Sequence, residues 1–239
     1  MGIALLRMGI LTWIAVAHGQ QTLINLPSPD VTPRKKLFLL HETQARPWSP
    51  EPYWATSNFI VYGLSSNVEL GITLYELGVP KQEFSAVAMG YKWSQPLFRG
   101  PLSRWNLRTV LGQMLTFSLH GHGKGLWTYL MGSLQVPMTK TRLSAGVTFG
   151  PRALFGGDNP SGPLGVNTIA FIGSAEQPVT EWLDVVVEWF SGEGHEFAYA
   201  TPGLVIHVGN WTFVVGYKFA NSEEEEHTES LIVEVGTLL

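Results

Sequence analysis

The chain has 239 residues, a formal net charge of -4, 14% charged residues, 12% aromatic residues, 26 glycines and no cysteine. Roughly 25% charge is usual in a soluble domain, so this composition argues against a densely charged water-facing surface. The lack of Cys excludes disulfides, thiol catalysis and thiolate metal sites, and the mildly acidic balance offers no footprint for nucleic acid.

The N-terminus reads MGIALLRMGILTWIAVAHG. Arg7, the apolar run 8–17 and the small residues Ala15, Ala17 and Gly19 predict a secretory signal peptide over 1–19. The run falls short of the ~20 apolar residues of a membrane-crossing helix. Residues 20–34 follow, with Pro27, Pro29 and Pro33, and are expected to form an extended periplasmic lead-in.

From residue 35 to 239 the pattern becomes strand-like. Twelve runs are predicted: 35–46, 57–65, 67–76, 83–93, 107–120, 125–136, 141–149, 164–174, 179–190, 196–208, 210–220 and 229–238. Several alternate strictly. Val68, Leu70, Ile72 and Leu74 oppose Glu69, Gly71, Thr73 and Tyr75. Val87, Met89, Tyr91 and Trp93 oppose Ala86, Ala88, Gly90 and Lys92. In TFVVGYKF, Phe213, Val215, Tyr217 and Phe219 oppose Thr212, Val214, Gly216 and Lys218. Successive strand side chains point to opposite faces, so each strand has a bulky apolar face and a face of small or charged residues.

The connections alternate in length. One end collects GPRALFGGDNPSGP, SGEGH and NSEEEEHT; the other is tight, with SQPLFRGPLSRWN at 94–106 as its long exception. Short turns at one end, long loops at the other and an even strand count describe a single antiparallel up-and-down transmembrane β-barrel. A soluble sandwich or lipocalin-like barrel would alternate as well, but its outer face should be rich in Lys, Glu and Asp. Here the polar face is mostly Gly, Ser, Thr and Ala. The apolar face therefore meets lipid, and Trp93, Trp189, Trp211, Tyr217 and Phe219 fall where aromatic girdles belong.

The segments SNFIVYGLSSNVELGITLYELG and WFSGEGHEFAYATPGLVIHVGNWTFVVGYKFAN resemble the bacterial outer-membrane barrels grouped with the phenol meta-pathway MetA-like family. That resemblance implies an outer-membrane location and passage of small, often hydrophobic compounds. The chain departs from many such barrels by ending GTLL rather than in Phe or Trp.

The candidate lumen and selectivity residues are Glu69, Lys92, Arg108, Arg142, Asp184, Glu188, Lys218 and Glu234. Charges inside a barrel must pair or stay hydrated. They would form either a constriction that selects solutes or a salt-bridge filling. His120, His122, His195 and His227 fall at one end, yet their spacing does not demand a metal, and no cofactor is expected. Ser118 and His120 share a strand face and support an alternative, a lipid-modifying enzyme. Another alternative is a structural or surface-interaction barrel with a filled lumen. The acidic run 223–226 reads as a solvated loop. The expected partners are the bilayer, lipopolysaccharide, a small-molecule solute and the outer-membrane assembly machinery.

Overall fold

The computed structural model describes residues 22–48, 53–75, 86–98, 100–118, 125–150, 168–191, 199–220 and 229–239. The strands are β1 (Leu37–Arg46), β2 (Tyr53–Gly63), β3 (Val68–Tyr75), β4 (Ala86–Pro96), β5 (Arg108–Ser118) and β6 (Gly125–Gln135), followed by β7 (Arg142–Gly150), β8 (Thr168–Pro178), β9 (Leu183–Phe190), β10 (Tyr199–Val208), β11 (Trp211–Ala220) and β12 (Ser230–Leu238). Each pairs antiparallel with its sequence neighbours, and β1 pairs with β12, so the sheet closes. Closure leaves no unpaired edge, which a sheet in hydrocarbon requires.

The alternation predicts the faces. Leu70, Ile72, Met89, Val185, Val187, Phe213 and Val215 point outward and are exposed, whereas Glu69, Lys92, Val186, Glu188, Val214 and Glu234 point inward and are buried. Trp54, Phe117, Phe171, Trp189 and Phe219 form an outward aromatic band toward the long connections, and Trp182 and Trp211 lie toward the tight ones. A polar interruption of the apolar surface closes on itself. His41 Nδ1 lies 2.9 Å from Asn58 Oδ1, and its Nε2 lies 3.1 Å from Thr43 Oγ1.

Several strands differ from expectation, among them β4, which runs over Ala86–Pro96 rather than 83–93, and β9, which begins at Leu183 rather than 179. β2 begins at Tyr53 rather than 57, and β8 runs from Thr168 to Pro178 rather than over 164–174. The predicted runs leave residues 175–178, which include Pro178, between two strands. In the barrel Glu176 stands in register with Arg142, and Pro178, which has no N–H to donate, ends the strand. The long tight-end connection contains a short 3-10 helix, Gly100–Trp105, with no buried residue.

The largest correction concerns residues 22–33, expected as a periplasmic lead-in. They run inside the barrel. Leu23, Ile24, Ser28 and Thr32 are fully buried, and Leu26 nearly so. Ile24 packs on Val186, Val205, Val214 and Ile232 of four strands. Leu26 packs on inward residues that include Val110, Tyr129, Ile172 and Phe190. The prolines keep this segment out of the sheet. Its apolar side chains and backbone amides suit an interior that is part apolar and part anionic.

Candidate functional site

The lumen has two levels. At the level nearer the tight turns, the segment 22–33 fills the interior. At the other, a chamber remains.

The segment is held by side chains of the wall. Leu23 N–H donates to Leu26 O at 2.7 Å, and Thr22 bridges to Pro27, so residues 22–27 form a tight loop. Three successive amides then face one carboxylate. Ile24 and Leu26 N–H donate to Glu188 Oε1 at 2.6 and 3.0 Å, and Asn25 N–H donates to Oε2 at 2.8 Å. Successive backbone N–H groups make a natural anion cradle; here the anion belongs to the wall. Further along, Ser94 Oγ donates to Pro29 O at 2.6 Å, and Thr32 N–H donates to Glu69 Oε2 at 2.6 Å. Asp30 pairs with Arg142. Burial pushes the Asp30 carboxyl up, but the Arg142 guanidinium, aided by Lys92 and Arg108, holds it below its ordinary range. Room for the loop comes partly from Gly203, where a Cβ would stand 2.7 Å from Ile24 Cδ1.

All eight sequence-predicted residues face inward, but they form separate groups rather than one ring. Glu69 and Lys92 are register partners on β3 and β4, with Lys92 Nζ 2.8 Å from Glu69 Oε1 and both side chains 2% exposed. Arg142 joins Glu176 on β8 to Asp30 of the inserted segment, with Nε donating to Glu176 Oε1 at 2.6 Å. Arg108 donates from Nε to Ser94 Oγ at 2.8 Å. Asp184 lies 3.1 Å from His207 Nε2. Glu188 holds the loop. Lys218 Nζ donates to Gln44 Oε1 at 3.2 Å and sits 5.6 Å from the centre of the Tyr199 ring. Glu234 stands in register with Glu42 of β1.

The chamber measures about 320 Å³. Its wall residues include Glu42, Gln44, Phe59, Tyr75, Trp127, Tyr129 and Tyr199, and the inserted loop contributes Thr22, Ile24, Asn25 and Pro27. Most of the wall residues lie in strand halves that lead to the long connections. Gln44 Nε2 donates to Glu42 Oε1 at 2.9 Å and to Asn25 Oδ1 at 3.0 Å, which ties the chamber wall to the loop.

Sequence reasoning missed Asp30, Glu42, Glu176 and His207. Asp30 falls in the predicted lead-in, and Glu176 falls between two predicted strands. In β1 the alternation is blurred, because Phe38, Leu40, Glu42 and Gln44 share the inward face. His207 could have been found: it stands one strand away from Asp184, two residues from inward Val205. The signal peptide 1–19, the Ser118 side chain, His120, His122, His195, His227 and the acidic run 223–226 lie outside the described residues.

Comparison with solved structures finds the KdgM porin at 11% identity, covering 85% of this chain and 97% of that one, with a TM-score of 0.54. The KdgM porin in complex with disordered oligogalacturonate aligns at 12% identity over the same shares, again with a TM-score of 0.54. The fold is that of an outer-membrane β-barrel. No family model and no curated protein matches the sequence.

Proposed function

We propose that the protein is a narrow passive conduit for small molecules in the bacterial outer membrane, with the segment 22–33 as its internal stopper. The carrying observation is the lumen itself. A closed barrel with an apolar exterior encloses paired charges of both signs, and the obstruction is a proline-bearing segment held by hydrogen bonds and ion pairs rather than built from the wall. Bonds of that kind can be broken and remade without disturbing the barrel ladder. Glu69, Lys92, Arg108, Arg142, Asp184, Glu188, Lys218 and Glu234 would line the path and set its selectivity. Export through the signal peptide 1–19, insertion by the assembly machinery and contact with lipopolysaccharide belong to this reading. So does kinship with the phenol meta-pathway MetA-like barrels, which rests on the segments 57–78 and 189–221.

The stopper also favours a second reading, a structural barrel with a permanently filled lumen. Planar-bilayer conductance separates the two. The full chain should conduct in rare or small events, and a chain lacking 22–33 should conduct steadily. Silence of both proteins, each folded by gel mobility, would leave the filled barrel and remove transport.

A further inference from the structure

We propose that the chamber above the inserted loop binds small organic cations, namely amines and quaternary ammonium groups. The inference takes the lumen as the working compartment, as the proposed function does, but it does not require conduction.

The chamber wall carries the rings of Phe59, Tyr75, Trp127, Tyr129 and Tyr199 together with the carboxylate of Glu42. Aromatic faces attract cations, most strongly when water is excluded. At about 320 Å³ the space is at the small end of ligand pockets, ~300–1,000 Å³. The wall already shows the interaction, since the Lys218 ammonium lies 5.6 Å from the centre of the Tyr199 ring.

The charge balance points the same way. Nearer the tight turns these inward acids among the described residues have a cation or His beside them: Glu69 has Lys92, Asp30 and Glu176 share Arg142, and Asp184 has His207. At the chamber the balance is different: Glu42 lines the space, and a second acid, Glu234, lies next to Glu42 in the sheet but outside the lining. Glu234 is 0% exposed, and neither of its oxygens has a hydrogen-bond partner. Glu188, nearby, is occupied by three amides of the loop. Lys218 is hydrogen-bonded to Gln44, one residue of the relay that ends at Glu42. A buried carboxylate without a counter-charge is unstable. A cationic ligand would lower that cost while its alkyl surface met the rings. A neutral ligand would gain only the rings, and an anion would be repelled.

The test uses the full chain folded in detergent and isothermal titration with choline, with 3,3-dimethylbutan-1-ol as the uncharged ligand of the same shape. Choline should bind saturably, and the alcohol roughly tenfold more weakly or less. Glu42→Gln should weaken choline by about fivefold or more, and Trp127→Leu should do so too. Trp127→Leu carries the test if the carboxylate variant fails to fold, as judged by unboiled-gel mobility. Equal binding of choline and the alcohol, equal binding of potassium at matched ionic strength, or no saturable heat from the folded protein would overturn the inference. Conductance of the same preparation keeps the two readings apart. Choline binding by the full chain, with silence both of that chain and of the chain lacking 22–33, refutes transport alone, and a conducting protein that does not bind choline refutes the cation site alone.

Discussion

Glu188→Gln tests whether one wall carboxylate anchors the inserted segment. Glu188 is 0% exposed and accepts from Ile24, Asn25 and Leu26 at 2.6, 2.8 and 3.0 Å. Glutamine preserves the size and can keep the two amides on one oxygen. Its NH2 then faces the Asn25 N–H, donor against donor. A hydrogen bond to a charged group contributes about 1.5–3 kcal/mol, and a buried donor left unsatisfied costs about 1–3 kcal/mol. A loss near 3 kcal/mol is reasonable, on the order of a hundredfold in the docked-to-released ratio. The chain has no cysteine, so a single Ser28→Cys reports release cleanly, because Ser28 is 0% exposed when the segment is docked. Maleimide should label that cysteine slowly in the parent and about a hundredfold faster beside Glu188→Gln, in proportion to the released population. Gel mobility of the unboiled barrel should not change, since the ladder of β9 is untouched. An unchanged labelling rate in a folded double variant would refute the anchoring role.

Acid should release the same segment. The Asp30 pKa is depressed in the fold, so its stabilising contribution is complete above its ordinary value of 3.8 and is lost as the pH falls below that value. Pepsin cleavage within 22–33, mapped by mass spectrometry, should rise below that pH, and Asp30→Asn should flatten the Asp30-dependent part of the rise. Gly112→Ala should destabilise the barrel by about 1–3 kcal/mol, because the new Cβ would fall 2.2 Å from the Tyr129 ring. Gly132→Ala, with nothing within 4 Å of its Cβ, should leave the melting midpoint of the folded gel band unchanged or higher. Lys92→Met should cost about 3–5 kcal/mol, since it strands the Glu69 carboxylate, and adding Glu69→Gln should restore much of that loss in urea titrations. Met89→Arg, on the outward face at 53% exposure, should cost about 2–4 kcal/mol if it lies at the bilayer midplane, measured by urea unfolding in lipid vesicles.

The strands, their number and their two faces were legible in the residues alone, because a strand's side chains alternate with a period of two wherever it lies. Glu69, Lys92 and Glu188 could be placed inward from the bulky apolar neighbours that flank them. Where that contrast fails, as in β1, Glu42 could not be placed, and a proline hid Glu176 at the end of β8. Local pattern also cannot report which inward residues meet across the barrel. The Glu69–Lys92 pair depends on register, and the Arg142–Asp30 pair joins residues 112 apart in sequence. The fate of residues 22–33 lay furthest from reach. Their prolines say only that they are not ladder strands. That they turn into the lumen follows from amides that need acceptors and inward carboxylates that need donors, and these meet only after the sheet has closed around them.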